Sequence, residues 1–356
     1  MRDLPGLRRA LLTWYRREQR DLPWRATRDP YRVWLSEVML QQTQVATATP
    51  YYERFVARFP NLRALARAPL DRVLTAWSGL GYYHRARNLH RGAQHVAERH
   101  AGLFPKTLEA ALAVPGVGLY TASAVLSIAH GLPLPVVDGN VRRVLARLFA
   151  LRGPDGRREG AFYNLAEELL DREAPGEWNQ ALMELGAAVC TPRKPACPAC
   201  PLRAHCRAWS LGLAEKLPEG KTRRPPVEVT VAAALIQRGD CLLLVRREQG
   251  RLMGRMWEVP QTSLESQGLP DLVREVEERH GLRVVPGALA VRARHAITFR
   301  RIRLEGYRAW LRQALPADPD RFRWASLDDV AHLPTSSMTK KLLRGLRQAQ
   351  LPLELG

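Results

Sequence analysis

Apolar residues recur every three or four positions through most of the first two thirds of the chain, which is the spacing that builds one face of an α-helix. Such stretches cover residues 5–20 and 31–45, shorter runs between 47 and 112, and two more runs between 158 and 189. The shorter runs are separated by residues that interrupt helices, namely Pro60, Pro69, Gly79 and Pro105. The pattern therefore predicts an all-α domain over residues 1–220.

The pattern changes after a basic, proline-rich segment at residues 221–227, which is typical of a linker. Beyond it, two strand-like runs at Val229–Ile236 and Leu242–Val245 flank Gly239 and Asp240, as in a β-hairpin. Further strand-like runs and a last helical pattern near Met338–Ala349 follow. The chain is thus predicted to be multidomain, with an α+β domain over residues 228–356.

The chain carries 55 Lys and Arg against 35 Asp and Glu, a net charge of +20, with a sequence pI of about 10.6. This excess favours a polyanionic partner, with nucleic acid first, although solubility combined with an Arg-rich codon bias is the alternative. No apolar run approaches the length of a membrane span, and the first residues lack the apolar segment of a secretory signal. We therefore expect a cytoplasmic, nucleoid-associated protein without a membrane partner, acting as a monomer.

The stretch from Val114 to Asn140 carries the first candidate chemistry. Gly116 and Gly118 precede a helical pattern, and their lack of side chains lets backbone N–H groups approach another backbone closely. The helix begins with unpaired N–H donors at the positive end of its dipole, which suits a phosphate. After a proline-containing turn, Asp138 is predicted to be the N-cap of a second helix. An ordinary helix-turn-helix with an Asp cap is the alternative.

A second carboxylate, Glu37, lies on a predicted helix that begins with Asp29 as cap and Pro30 as first residue. By three/four spacing, Glu37 shares its face with apolar residues that include Val33 and Leu40. Apolar surroundings raise the pKa of a carboxyl group, and such a group suits general acid catalysis near neutral pH. The alternative is a Glu on a solvated rim.

Four cysteines, Cys190, Cys197, Cys200 and Cys206, follow the spacing C-x6-C-x2-C-x5-C. In a chain without a signal segment, four thiols so close together indicate a metal site rather than disulfides. Structural zinc sites usually pair two short-spaced knuckles, whereas this segment has one C-x-x-C. Ligation by four cysteines also suits a [4Fe–4S] cluster, so the spacing alone leaves both metals open.

These segments together resemble the helix-hairpin-helix base-excision DNA glycosylases, and within them the adenine DNA glycosylases. The resemblance covers nearly the whole chain and includes the glycine hairpin, the loop with Asp138, and the run Ser36-Glu37-Val38-Met39-Leu40-Gln41-Gln42-Thr43. It implies an enzyme that flips adenine out of double-stranded DNA, where adenine is mispaired with 8-oxoguanine or guanine. Hydrolysis of the N-glycosidic bond would leave an abasic site.

The resemblance also implies roles for individual residues. Glu37 would protonate the base, Asp138 would stabilise or transiently attack the sugar, and Asn140 would position the carboxylates. The remaining candidates would line the base pocket or contact the lesion and the DNA, and they are Trp24, Arg25, Gln42, Thr43, Leu80, Tyr82, Gln180, Gly116 and Gly118. For Trp24, core packing is the alternative.

Tyr120 stands where related bifunctional glycosylase/lyases such as endonuclease III carry a Schiff-base lysine. The resemblance therefore implies a monofunctional glycosylase, in which Tyr120 belongs to the catalytic set, and a bifunctional endonuclease III-like enzyme is the alternative. A non-enzymatic damage-binding protein is a further alternative, against which the joint presence of Glu37 and Asp138 argues. The cysteine spacing matches the cluster loop of the family, which implies a [4Fe–4S] cofactor.

The C-terminal pattern resembles a Nudix-like domain, which helps adenine DNA glycosylases to recognise 8-oxoguanine. Its metal-binding helix motif is degenerate, because Arg279 and Ser266 stand where acidic ligands are expected, so binding is favoured over nucleotide hydrolysis. The family's lesion-reading loop matches Thr298 and Phe299 in one register, with the Thr298 hydroxyl as the lesion contact. A second register places Arg300 and Arg301 there, and a plain strand is the remaining alternative.

Overall fold

The computed structural model describes residues 3–153, 156, 158–219, 225–247 and 256–350. The chain divides into two compact units, of which the first consists of Met1–Arg67 and Asn88–Thr222, and the second of Ala68–Arg87 and Arg223–Gly356. The segment Ala68–Arg87 therefore packs with the unit that contains the sheet, although it lies within the predicted helical domain in sequence. The boundaries at residues 220 and 228 stay a prediction.

The first unit is helical, as the apolar spacing predicts. Its helices are α1 Leu4–Glu18, α2 Pro30–Leu40, α3 Val45–Arg58, α4 Leu62–Arg67, α6 His84–Arg99 from Asn88 onward, α7 Leu108–Leu112, α8 Leu119–His130, α9 Gly139–Leu148, α10 Glu159–Leu169, α11 Pro175–Ala188 and α12 Arg207–Ser210. Two single 3-10 turns, Cys197–Ala199 and Arg203–His205, lie before α12. Among the described residues, no helix combines the length and apolar character needed to cross a bilayer.

The helices that carry the candidate carboxylates begin where the sequence predicts. The Asp29 carboxylate accepts hydrogen bonds from the backbone N–H groups of Tyr31 (2.8 Å) and Arg32 (3.2 Å), and Pro30 is the first residue of α2. Asp138 caps α9 in the same way. Helices α1, α9 and α11 pack against one another through a core of fully buried residues that includes Leu11, Leu145 and Trp178.

The second unit is an α+β arrangement around a mixed sheet. It contains α5 Leu70–Ala76, β1 Val227–Arg238, β2 Cys241–Arg246, β3 Trp257–Glu258, α13 Leu269–His280, β4 Val284–Ile297, β5 Arg300–Leu311, β6 Phe322–Ser326, α14 Leu327–Ala331 and α15 Ser337–Gln350. The strand order is β3-β2-β1-β5-β4, with β6 paired to β2. Strands β1 and β5 are parallel, whereas the other pairs are antiparallel.

Strand β1 is buried on both faces, which explains why its apolar run is continuous. Val231 and Leu235 pack in one apolar cluster with Leu342 and Leu346 of α15. Ala232 and Ile236 alternate to the opposite face and pack with Leu272 and Val276 of α13. Helix α15 therefore packs on one face of the sheet and α13 on the other, and the predicted hairpin turn at Gly239 and Asp240 is confirmed.

The plain-strand alternative for Thr298 and Phe299 is wrong. These two residues form the tight turn between β4 and β5, because Ile297 pairs directly with Arg300. Thr298 adopts φ +54°, a conformation that β-branched residues rarely occupy. Its hydroxyl donates a hydrogen bond of 2.7 Å to the carbonyl of Ile297. The tip of a two-stranded hairpin thus presents both side chains, instead of alternating them between a core face and solvent.

Candidate active site

One cavity of about 520 Å³ in the helical unit brings together most of the predicted site residues. It is lined by Trp24, Arg25, Glu37, Gln42, Thr43, Tyr120, Asp138, Asn140 and Gln180. These residues come from the loop before α2, from α2 and the turn after it, and from α8, α9 and α11. A cavity of this size falls in the range that accommodates a small organic ligand.

Glu37 lies near the end of α2 and is 6% exposed. The Tyr120 hydroxyl donates a hydrogen bond of 2.5 Å to Glu37 Oε2. Burial raises the pKa of Glu37 to about 7, and the nearby Asp138 charge also raises it, whereas the Tyr120 hydrogen bond and Arg25 lower it. A carboxyl group that titrates near 7 is protonated in part at neutral pH, so Glu37 can donate a proton there.

Tyr120 is the second residue of α8, and its hydroxyl also lies 3.6 Å from Met183 Sδ. Burial, reinforced by the charges of Glu37 and Asp138, raises the pKa of Tyr120 well above its usual value. The phenol therefore stays protonated and orients the Glu37 carboxyl group. It offers no amine from which a Schiff base could form.

Asp138 faces the same cavity from the start of α9. Its Oδ1 accepts a hydrogen bond of 2.6 Å from Val141 N, and its Oδ2 accepts one of 3.1 Å from Asn140 Nδ2. Burial raises the pKa of Asp138, and the hydrogen bonds from Val141 and Asn140 and the charge of Arg143 oppose that rise. The carboxylate is thus held rigidly at a helix N-terminus, ready to face a developing positive charge.

Arg143 was not identified from the sequence, yet it connects Asn140 to the cysteine loop. Its Nη2 donates hydrogen bonds to Asn140 Oδ1 (2.9 Å) and to the Gly186 carbonyl (2.6 Å), and its Nε donates to the Cys190 carbonyl (2.7 Å). A Cβ atom at Gly186 would lie 2.6 Å from Asn140 Cβ, so glycine lets α11 approach the start of α9. The position of Asp138 therefore depends on packing that includes the cysteine loop.

Glu184 also lines the cavity and was missed by the sequence analysis. Its side chain is 1% exposed and forms ion pairs of 2.6 Å with both Arg20 and Arg25. Burial alone would raise the pKa of Glu184, but the hydrogen bonds from the two guanidinium groups outweigh burial and lower it. The available signal was its position four residues after Gln180, on the same face of α11.

Trp24 lines the cavity and also packs edge-on against Tyr52 with ring centroids 5.3 Å apart, and its role in a base pocket stays a prediction. Past the end of α2, Gln42 is exposed and adopts φ +56°. Such a conformation is uncommon for a residue with a side chain, and it turns Gln42 away from the helix path. Thr43 follows it at the cavity rim, with its N–H donating to the Leu40 carbonyl at 3.2 Å.

The glycine hairpin has the geometry that the sequence predicts. Gly116 adopts φ +81°, and a Cβ atom there would lie 2.5 Å from Asn88 Cβ, so the position requires glycine. Gly118 is the N-cap residue of α8 and is exposed, and a Cβ atom there would meet nothing within 4 Å. No side chain of the described residues caps α8, so its first N–H groups are available to an anion.

Two further candidates, Leu80 and Tyr82, belong to the segment that packs with the second unit. Leu80 is buried, whereas Tyr82 is 40% exposed and adopts φ +47°. Of these two side chains, Tyr82 is the one presented at the surface of that unit. The roles of both residues in DNA binding stay predictions.

All four predicted metal ligands, Cys190, Cys197, Cys200 and Cys206, line one small cavity. The buried Arg147 guanidinium donates a hydrogen bond of 3.2 Å to Cys190 Sγ and others to the carbonyls of Thr191 and Leu217. Burial raises the pKa of the Cys200 thiol to about 12, and it also raises those of Cys197 and Cys206. In the described parts of the chain, no set of three His, Cys, Asp or Glu side chains forms a mononuclear metal site.

The degenerate metal helix of the second unit is α13. Arg279 Nη2 forms an ion pair of 2.8 Å with Glu275 Oε2, and the Ser263 N–H donates to the same carboxylate at 2.7 Å. Ser266 Oγ hydrogen-bonds Asp271 Oδ2 at 3.2 Å. The Arg279 guanidinium therefore neutralises the Glu275 carboxylate, and a divalent cation bound at this helix would need that carboxylate as a ligand.

Two protein-family models match the chain. The model of the HhH-GPD superfamily base excision DNA repair protein matches residues 35–167, and that of the NUDIX domain matches residues 231–345. A solved thermostable thymine-DNA glycosylase superposes with a TM-score of 0.54 and 29% identity, covering 59% of this chain and 98% of that chain.

Among curated relatives, adenine DNA glycosylase of Mus musculus is 37% identical, with 96% of this chain and 78% of the mouse protein covered. Adenine DNA glycosylase of Rattus norvegicus is 35% identical with the same two coverages. Together with the catalytic-type pocket, this similarity over nearly the whole chain shows that the chain belongs to the adenine DNA glycosylase family of base-excision repair enzymes.

Proposed function

We propose that this enzyme removes adenine paired with 8-oxoguanine, or with guanine, from double-stranded DNA and leaves an abasic site. The observation that carries the proposal is the presence of Glu37 and Asp138 in one cavity, where the Tyr120 hydroxyl of α8 donates a hydrogen bond to Glu37. A base extruded from the duplex would enter this cavity, which is large enough for a purine. Arg25, Glu184 and Gln180 supply polar groups on its wall.

In the proposed reaction, the carboxyl proton of Glu37 passes to a ring nitrogen of the adenine, which makes the base a better leaving group. The glycosidic electron pair leaves with the base, and positive charge develops on the sugar. The Asp138 carboxylate, fixed by Asn140 and Val141, stabilises that charge or attacks the anomeric carbon transiently. Water then adds to the sugar, and its proton returns to a carboxylate.

The reaction is proposed to stop at the abasic site. Strand cleavage by a lyase requires an amine that forms a Schiff base with the sugar. Among the described residues that line the cavity there is no lysine, and Tyr120 occupies the position in α8 where the resemblance would place one. These observations favour the monofunctional mechanism over the bifunctional alternative.

Three duplexes, two with adenine in different mispairs and one with an oxidised pyrimidine, test this proposal. Adenine opposite 8-oxoguanine, adenine opposite guanine, and an oxidised pyrimidine opposite guanine would be incubated with the enzyme and analysed with and without alkali. We expect strand breaks only after alkali, only on the adenine strand, and faster opposite 8-oxoguanine than opposite guanine. Breaks without alkali would establish the bifunctional alternative, and release of the oxidised pyrimidine alone would refute the adenine assignment.

The pH dependence of excision should report the titration of Glu37. Because the protonated form is the active acid and its pKa is about 7, the single-turnover rate should fall tenfold per pH unit above that value. The Tyr120 hydrogen bond stabilises the ionised carboxylate and lowers this pKa, so Tyr120→Phe should raise it and move the falling limb to higher pH. An unchanged limb in Tyr120→Phe would contradict the assignment of the limb to Glu37.

We further propose that the cysteine loop holds a [4Fe–4S] cluster, which would serve here to order the loop. The fit rests on four half-buried thiols around one cavity, because thiols whose pKa is raised by burial, such as that of Cys200, ionise only beside positive charge. Arg147 binds the Cys190 sulfur and two loop carbonyls, as expected of a group that supports ligands to a metal centre.

Purified protein should therefore be brown and contain about four irons per chain, with the broad visible absorbance of an iron–sulfur centre. Cys200→Ser should lose most of the iron, since three thiolates remain for a cluster that needs four. Cys241→Ser is the matched control and should retain it, because Cys241 lies on β2 in the other unit. Colourless wild-type protein with one zinc per chain would instead support the zinc alternative.

The Nudix-like unit is proposed to read the 8-oxoguanine strand, with the hairpin tip at Thr298 and Phe299 as a candidate contact. The flanking Arg300 and Arg301 would hold phosphates, which position a protein on DNA without carrying sequence information. Monomeric action and association with the nucleoid also stay predictions.

A further inference from the structure

The segment Ala68–Arg87 lies between two helices of the glycosylase fold in sequence but packs with the Nudix-like unit. It consists of α5, the loop from Gly79 to Tyr83, and the first turn of α6. Two sets of contacts attach it to that unit. One set holds α5, and the other holds the loop that carries Tyr82.

The first set centres on Arg246, the last residue of β2. Its guanidinium forms an ion pair with the Asp71 carboxylate in the first turn of α5. The same guanidinium lies over the Trp257 ring, 5.4 Å from its centroid, and its side chain is only 13% exposed. An arginine sheltered in this way is held in one orientation, so its ion pair constrains α5 more than an exposed pair would.

The second set centres on the backbone carbonyl of Thr335, a residue that is fully buried beside β3. The Tyr83 hydroxyl donates a hydrogen bond of 3.0 Å to this carbonyl, and Ser78 Oγ donates one of 3.2 Å. The Tyr83 oxygen in turn accepts a hydrogen bond of 3.1 Å from Gly79 N. The loop is therefore closed on itself, and the Tyr83 and Ser78 hydroxyl groups both hold it to Thr335.

These contacts determine how Tyr82 is presented. Its φ of +47° is unfavourable for an aromatic residue and persists only where the surroundings enforce it. Next to it, the Arg85 guanidinium lies 5.3 Å from the Tyr82 centroid and 5.4 Å from that of Trp77, and it donates to the Gly81 carbonyl at 3.3 Å. Tyr82 thus keeps a strained, partly exposed orientation because its neighbours are fixed.

We propose that the Nudix-like unit sets the orientation of Tyr82, with Arg246 and Tyr83 as positioning residues for discrimination of the base opposite adenine. The inference rests on the proposed function, in which Tyr82 lies at the lesion. It extends that function by making one compact unit present both the Tyr82 loop and the Thr298–Phe299 hairpin tip. Neither positioning residue lines the excision cavity.

Charge reversal tests the inference in the full-length enzyme. Arg246→Asp and Asp71→Arg would each be compared with the double variant, with the wild type, and with Arg323→Ala as an exposed-arginine control on β6 of the same sheet. Two readouts are needed, namely amide hydrogen exchange of residues 78–86 without DNA, and single-turnover excision of adenine opposite 8-oxoguanine and opposite guanine. Tyr83→Phe, which keeps the ring and removes the hydroxyl, is measured in the same way.

We expect each single reversal to speed exchange in the loop and to reduce the rate ratio for 8-oxoguanine over guanine by roughly three- to tenfold, about the factor of one lost hydrogen bond. The double variant should restore both readouts, and Tyr83→Phe should lower the ratio by about two- to tenfold. The excision rate opposite guanine should change little, because the excision cavity is untouched.

Unchanged exchange and an unchanged ratio in the single variants would overturn the inference, as would a double variant that restores neither. A global loss of structure would slow excision opposite both bases equally and would not be restored by the double variant. If the wild type shows no preference for 8-oxoguanine, the proposed function fails instead. The exchange measurement then still decides whether Arg246 and Tyr83 hold the loop.

Discussion

Replacing Glu37 with glutamine should lower the single-turnover rate of adenine release by ~10²–10⁴, the usual contribution of a positioned general acid. The amide has nearly the same shape and can still accept the hydrogen bond from Tyr120, but it has no acidic proton to give. Since Glu37 is buried in the cavity wall and away from the hairpin at Gly116, binding of the mispaired duplex should stay close to that of the wild type.

The matched control is Glu53→Gln, which makes the same chemical change at an exposed position on α3. It should excise adenine at the wild-type rate. Near-normal excision by Glu37→Gln, with binding and thermal unfolding both unchanged, would show that another group supplies the proton.

The second large effect is expected for Asp138→Asn, which should reduce excision by at least ~10² because it removes the negative charge that faces the developing positive charge on the sugar. The fold should keep its helix cap and lose one hydrogen bond, the one that Asn140 Nδ2 donates to the second carboxylate oxygen. Asparagine is as good an N-cap as aspartate, so the hydrogen bond from Val141 N can be kept. Because burial raises the pKa of Asp138, ionisation of this group opposes folding at neutral pH, and the neutral amide removes that cost.

The Asp138→Asn variant should therefore lose excision without losing stability, and its melting temperature should be equal to that of the wild type or higher. Asp138→Ala is the informative comparison, since it loses the charge and also the cap, whose removal costs about 1 kcal/mol. A melting temperature that falls equally in both variants would mean that the carboxylate is mainly structural. Excision that survives in Asp138→Asn would contradict its proposed role at the sugar.

The features that the sequence predicted well depend on neighbours within a few residues. Asp29 and Pro30 start α2 because a carboxylate reaches N–H groups two and three residues ahead, and this interaction is local. The turn at Gly116 and the spacing of the four cysteines are local in the same sense. The raised pKa of Glu37 was also predicted, because the apolar face on which it lies follows from helical periodicity.

Only the tertiary structure decided which distant groups meet. Tyr120, the partner of Glu37, comes from α8, and the Arg143 side chain of α9 meets the Cys190 carbonyl beyond the end of α11. The sequence shows Glu184 only as a helical residue, and its ion pairs with Arg20 and Arg25 are visible only in the structure. The segment with Tyr82 reads as part of the helical domain, yet Arg246 and the Thr335 carbonyl hold it to the Nudix-like unit. Local sequence specifies which conformations a segment prefers, whereas its partners are selected by the free energy of burying whole faces, a sum over residues far apart in the chain.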